Sequence, residues 1–145
     1  MASFDIGNRT LTTTPYGGGH TVRIKGGAIL GNVAIIKRGY RASPATDAIG
    51  AFSSYPRRDS LWEAARDLLI IHTMKGGTPG VPWLASEVAL ALGLAKGEEG
   101  DLTSGQENVE IIRQSMVTLA AAGLLRELGY QGHMGYRFEL VGGAK

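Results

Sequence analysis

Lys37, Arg38, Arg41, Arg57 and Arg58 crowd into one short stretch of the chain in which Asp47 is the one acid. Lysine and arginine neutralise phosphate and release its condensed counterions, so such a group suits an arm that follows a nucleic-acid backbone or enters a minor groove. A plainer use carries equal weight, since cations on an edge strand discourage aggregation. The formal net charge of +2 hides how unevenly these cations are spread. Residues 1–58 hold eight Lys or Arg against two Asp, a balance of +6, whereas residues 59–145 hold seven against eleven acids, a balance of −4. That asymmetry points to nucleic-acid contact through the basic part.

A second group of polar side chains lies further on. Val109, Ile112, Met116 and Leu119 recur at spacings of three, four and three, which puts them on one face of a helix over about 105–122. The other face carries Gln106, Asn108, Glu110, Arg113, Gln114 and Thr118. Arg113 has the paired donors that suit guanine or phosphate, and Gln114 or Asn108 has the donor and acceptor that suit adenine. Glu107 and Glu110 oppose phosphate, and a solvated helix face accounts for the same residues.

Other chemistry finds little support. No nucleophile and base stand together, and Glu98-Glu99 fall in a Gly-rich turn that nothing desolvates, so the expectation is a chain that is not an enzyme. The absence of cysteine removes a disulfide framework and any Cys-based zinc site, three scattered histidines make a poor metal centre, and no cofactor is expected. Gly17-Gly18-Gly19-His20 precedes no helix, and Lys75-Gly76-Gly77-Thr78 has the residues of a phosphate loop in the wrong order. No apolar run approaches the ~20 residues that cross a bilayer, and the first residues do not resemble a secretion signal. The expected compartment is the cytoplasm.

The elements that would position these groups divide the chain at Arg58. The first 20 residues, rich in Thr and Gly, offer little to bury and read as a loosely attached start. Thr21 to Lys25 alternates like a half-buried strand, Gly26-Gly27 permits a turn, and Ala28 to Arg38 supplies a second strand. An isolated hairpin is marginal in water, so it should pack on the rest of the chain, pair with a second subunit or order on a partner. Residues 41–58 read as a linker. Ser60 and Glu63 form a capping box for a helix to Lys75, with Leu61, Ala65, Leu68, Leu69 and His72 on one side. A second helix starts at Pro82 and closes at Gly93, and Gly123 ends the third. Leu124, Leu125, Tyr136, Phe138 and Leu140 supply a final hairpin about a tip at 129–135.

The order helix, helix, helix, strand, strand over 59–141, with Leu119 to Leu125 closing the third helix, resembles winged helix-turn-helix regulators of the MarR and PadR kind. Residues 94–104 form a longer turn than that pattern has. The resemblance implies an α+β fold: a winged helix-turn-helix domain of three helices and a C-terminal hairpin wing at 59–145, with an N-terminal hairpin and arm at 1–58. It implies a DNA-binding protein, a dimeric transcriptional regulator with helix 105–122 in the major groove of double-stranded DNA. Gln106, Asn108, Arg113, Gln114 and Thr118 would then face the groove, and Gln131, His133 and Arg137 of the wing would lie along the backbone. The homodimer would form through the N-terminal hairpin or the first helix. One alternative is a protein-interaction module whose acidic part docks on a protein partner, as a small inhibitor or DNA mimic. Another keeps DNA binding but assigns it to residues 1–58.

Overall fold

Hydrophobic alternation begins earlier than the Thr-rich composition suggests. Ile6, Leu11, Thr13, Val22, Leu30, Val33 and Ala42 are buried on one face of a continuous meander, and the turns between strands fall at Gly7-Asn8, Gly17-Gly18, Lys25-Gly26 and Lys37-Arg38. A computed structural model of the chain describes residues 2–44, 55–77, 81–93, 102–130 and 136–140. The strands are β1 (Ala2–Ile6), β2 (Arg9–Tyr16), β3 (Gly19–Ile24), β4 (Ile29–Ile36), β5 (Gly39–Pro44) and β6 (Arg57–Arg58), paired in sequence order as one six-stranded antiparallel sheet.

Helix α1 (Leu61–Lys75) follows, capped by Ser60, whose hydroxyl accepts from the Glu63 N–H at 3.1 Å and donates to the Glu63 carboxylate at 3.0 Å. Then come β7 (Trp83–Leu84), α2 (Ala85–Ala91), α3 (Leu102–Ala121), β8 (Leu125–Tyr130) and β9 (Tyr136–Leu140), with the three strands ordered β7-β9-β8. One core joins the inner face of the large sheet, α1, Val88, Ala89 and Leu92 after them, Ile112, Met116 and Leu119 of α3, and Phe138.

The curl of the large sheet follows from two contacts. Trp62 of α1 donates its indole N–H to the Asp5 carbonyl on β1, and Asp67 of the same helix pairs with Arg58 on β6. Five inter-strand gaps would set the two edges about 24 Å apart in a flat sheet, whereas five residues of helix span about 7.5 Å. Both edges reach α1 because the sheet wraps around it, and its other face is therefore convex and turned outward.

This architecture overturns the expected winged helix-turn-helix domain with an N-terminal hairpin or arm. The largest element is a curled six-stranded antiparallel sheet that makes half a barrel, so the molecule is mostly sheet and unlike a three-helix winged helix. The loosely attached start is instead β1 and β2. Threonine is β-branched and suits a pleated, half-buried surface, and Thr13 is only 1% exposed. The hairpin of β3 and β4 is present but has β2 and β5 as neighbours, so the need for a second subunit to complete it falls away. The linker at 41–58 supplies β5 and β6, residues 45–54 of it lying outside the described part. The second helix begins at Ala85 rather than Pro82, because Trp83 and Leu84 pair with Phe138 and Arg137.

Candidate nucleic-acid interface

Strand register places the outward side chains in rows across the convex face. Thr12 stands beside Arg23, and Thr14, Thr21, Asn32 and Ser43 form the next row. Tyr16, Gly19, Ala34, Arg41 and Arg57 form a third. Gly19 is fixed here by space, since a Cβ would lie 2.1 Å from the Val33 carbonyl oxygen. Asp5, on the edge strand, is the one acid among residues 2–44 and accepts from the Thr10 hydroxyl at 2.7 Å.

Cations occupy both ends of the central strands. Lys25 sits at the β3–β4 turn, and Lys37 and Arg38 at the β4–β5 turn, all exposed. The side chains of Arg23, Lys25, Lys37 and Arg38 make no hydrogen bond or ion pair to another described residue. Arg38 has φ +64°, the one non-glycine with positive φ among the described residues, whereas Gly7, Gly17 and Gly26 take that conformation at the other three turns. A side chain there costs about 1 kcal/mol or more, so the tip carries a cation at a position glycine would fill more cheaply. Arg57 donates to the Arg38 carbonyl and pairs with Asp59 at 2.9 Å, which fixes it beside the same turn. Arg41 lies between Ala34 and Arg57 across the strands, with its Nε buried and unpartnered.

Arg58 behaves differently from its neighbours. It points inward and grips Asp67 with two hydrogen bonds of 2.8 Å, its side chain 11% exposed. It is a structural group, unavailable to phosphate.

The polar face of α3 is occupied by its own partners. Arg113 donates through Nε and Nη2 to Glu110, and Gln114 donates to the same carboxylate at 3.2 Å. The Arg113 guanidinium holds the Glu110 carboxyl below its usual range, and Glu110 in turn raises Arg113. Thr118 turns its hydroxyl to the Gln114 carbonyl at 2.9 Å. The side chains of Gln106 and Asn108 lie outside the described residues, as do Gln131 and His133. Arg137 leans on the Pro82 carbonyl at 3.4 Å and the Glu87 carboxylate at 3.5 Å.

Two further places offer less. An open groove of about 260 Å³ is lined by Gly77, Val81, Pro82, Trp83 and Glu87, and its one carboxylate is engaged by the Leu84 N–H at 2.7 Å. Among the described residues no three His, Asp or Glu come together in a way that would hold a metal, and no helix is long and apolar enough to cross a membrane.

The structure thus brings Lys37, Arg38, Arg41 and Arg57 to one end of the sheet and separates them from the α3 group. Sequence reasoning passed over Arg23, Lys25, Thr21 and Asn32 as site residues. The signal was present in the alternation from Thr21 to Lys25, which puts Arg23 on the polar side of its strand. No known protein family, curated protein or solved structure matches this chain.

Proposed function

We propose that this chain is a DNA-binding protein of the cytoplasm that docks on double-stranded DNA through the convex face of its large sheet. The observation that carries the reading is the face itself: Arg23, Lys25, Lys37 and Arg38 stand exposed with no acidic partner among the described residues, and two carboxylates near the face, Asp5 on the edge strand and Asp59 after β6, are held by Thr10 and Arg57. Such a surface neutralises phosphate without first breaking ion pairs of its own. The proposal gives helix α3 no reading role, because Arg113 and Gln114 hold Glu110, whose own charge opposes phosphate.

Fluorescence anisotropy with a labelled duplex of mixed sequence, repeated between 50 and 200 mM salt, tests the reading. With four to six phosphates neutralised, log K should fall against log salt with a slope of about −4 to −5. Lys37→Glu with Arg38→Glu should weaken binding by at least about tenfold and make the slope shallower by about two. Arg113→Ala should leave both unchanged. Absence of duplex binding at the lowest salt, or indifference to the charge reversal, would overturn the proposal.

A further inference from the structure

The convex face is more than a cationic surface, because its two leading strands carry a patterned set of hydrogen-bond donors. Resting on the DNA-binding reading above, we infer that β3 and β4 enter the major groove and that Arg23 and Asn32 read G·C pairs there, with Thr21 as a positioning residue.

Shape is the first step. The major groove is about 12 Å wide and admits a two-stranded ribbon. A flat six-stranded sheet is about 24 Å across and would bridge the groove without entering it. The wrap around α1 draws β1 and β6 back, and the order β1-β2-β3-β4-β5-β6 leaves β3 and β4 at the crest. Gly19 and Ala34, opposite one another in the outward row toward the β4–β5 turn, add no bulk to the approach.

Chemistry is the second step. Thr21 and Asn32 are cross-strand partners, and the Thr21 hydroxyl donates to Asn32 Oδ1 at 2.9 Å. That bond holds the carbonyl end of the exposed amide against the sheet and turns its NH2 outward. Arg23, two residues along the same strand, has only donors to offer. Guanine presents two acceptors in the major groove, O6 and N7, whereas adenine pairs its N7 acceptor with an N6 donor that would face the donors of Arg23 and Asn32. Arg23 therefore favours guanine, and the outward NH2 of Asn32 adds a donor that a second guanine can accept.

Spacing is the third step. Arg23 lies two residues beyond Thr21, the cross-strand partner of Asn32, just past the register shift at Val22/Arg23 that lets Ile29 oppose Arg23; diagonal neighbours on an antiparallel pair stand about 7–8 Å apart, close to two steps of about 3.4 Å along a DNA strand. Lys25 at one end and Lys37 and Arg38 at the other flank these readers and meet phosphates, which sets register without carrying sequence information.

Selection from random duplex DNA with the full chain, followed by affinities for the selected and a scrambled duplex at one salt concentration, tests the assignment. The selected sites should share two G·C pairs at that spacing. Arg23→Ala and Asn32→Ala should each lower the ratio of selected to scrambled affinity by about ten- to a hundredfold, with scrambled affinity changed less than about threefold for Asn32→Ala. Thr21→Val should relax preference at the same base pair as Asn32→Ala while leaving the melting temperature unchanged, which a merely structural role would not do. Lys37→Ala should weaken both duplexes alike. A-form RNA closes its major groove to side chains, so duplex RNA of the selected sequence should bind no better than the scrambled DNA. Salt-dependent duplex binding with no shared motif, or equal affinity for that RNA, would sink the groove assignment and leave the DNA-binding reading standing. Absence of any duplex binding would sink both.

Discussion

Residues 59–145 expressed alone are expected not to fold, although they contain all three helices. Eight consecutive residues of α1, Ala64 to Ile71, are buried, including Arg66 and Asp67 at 6% and 0% exposure. A helix against a single layer buries a stripe, and one buried all round lies between two. Here the large sheet is one layer, and α2, α3 and β9 supply the other. Losing residues 1–58 uncovers the sheet-facing side of α1 and leaves Asp67 without Arg58. Each Leu or Ile returned to water costs about 1.5–3 kcal/mol, so three of them remove about 5–9 kcal/mol, comparable to the whole stability of a small domain, about 5–15 kcal/mol. Circular dichroism and amide proton dispersion of the fragment would check this. A cooperative melt with native helix content would show that the C-terminal part is independent of the sheet.

The same helix explains why the fold was only partly legible. Its limits were readable from Ser60, Glu63 and Gly76, because capping is local chemistry between neighbours. Its surroundings were not: Arg66-Asp67 in mid-helix looks like a solvent face, and His72, assigned to the inner side, is exposed. What partners the buried Asp67 is Arg58, nine residues earlier on a strand of two residues that no periodicity can reveal. Arg58 therefore counted as a cation for phosphate when its charge was already committed. Arg113 shows the opposite case, since its pairing with Glu110 at a helical spacing of three could be read directly. Thr10 to Thr14 failed for a third reason: composition suggested a loosely attached start, while the burial of Leu11 and Thr13 depends on strands that arrive later in the chain.

Breaking the Arg58–Asp67 pair from one side should be among the most damaging single changes in the molecule, and removing it from both sides should cost far less. The carboxylate is fully buried, and burial pushes its pKa above the usual carboxylate range against the pull of Arg58 and Arg66. Desolvation thus outweighs attraction, as it often does for buried pairs. Beside it Tyr55 is 1% exposed with its hydroxyl unpartnered, its phenol pushed up first by burial and then by the Asp67 charge. Arg66 stacks over Trp62 at 5.0 Å, its guanidinium pulled down chiefly by burial. Asp67→Asn or Arg58→Met leaves one buried group without its counterpart and should cost about 3–5 kcal/mol in urea denaturation. Arg58→Met with Asp67→Leu removes both members of the pair, leaves Glu63 as the counter-charge to Arg66, and should recover most of that loss, standing within about 1–2 kcal/mol of wild type. The sign of the pH dependence follows from the raised pKa. Between the ordinary carboxylate range and the raised value, the unfolded chain has lost a proton that the folded chain still holds, so wild-type stability falls as pH rises through that window and levels off above it. The double variant lacks this slope, and its stability relative to wild type should rise across the same window. A double variant as unstable as either single change would mean that the pair is a net source of stability.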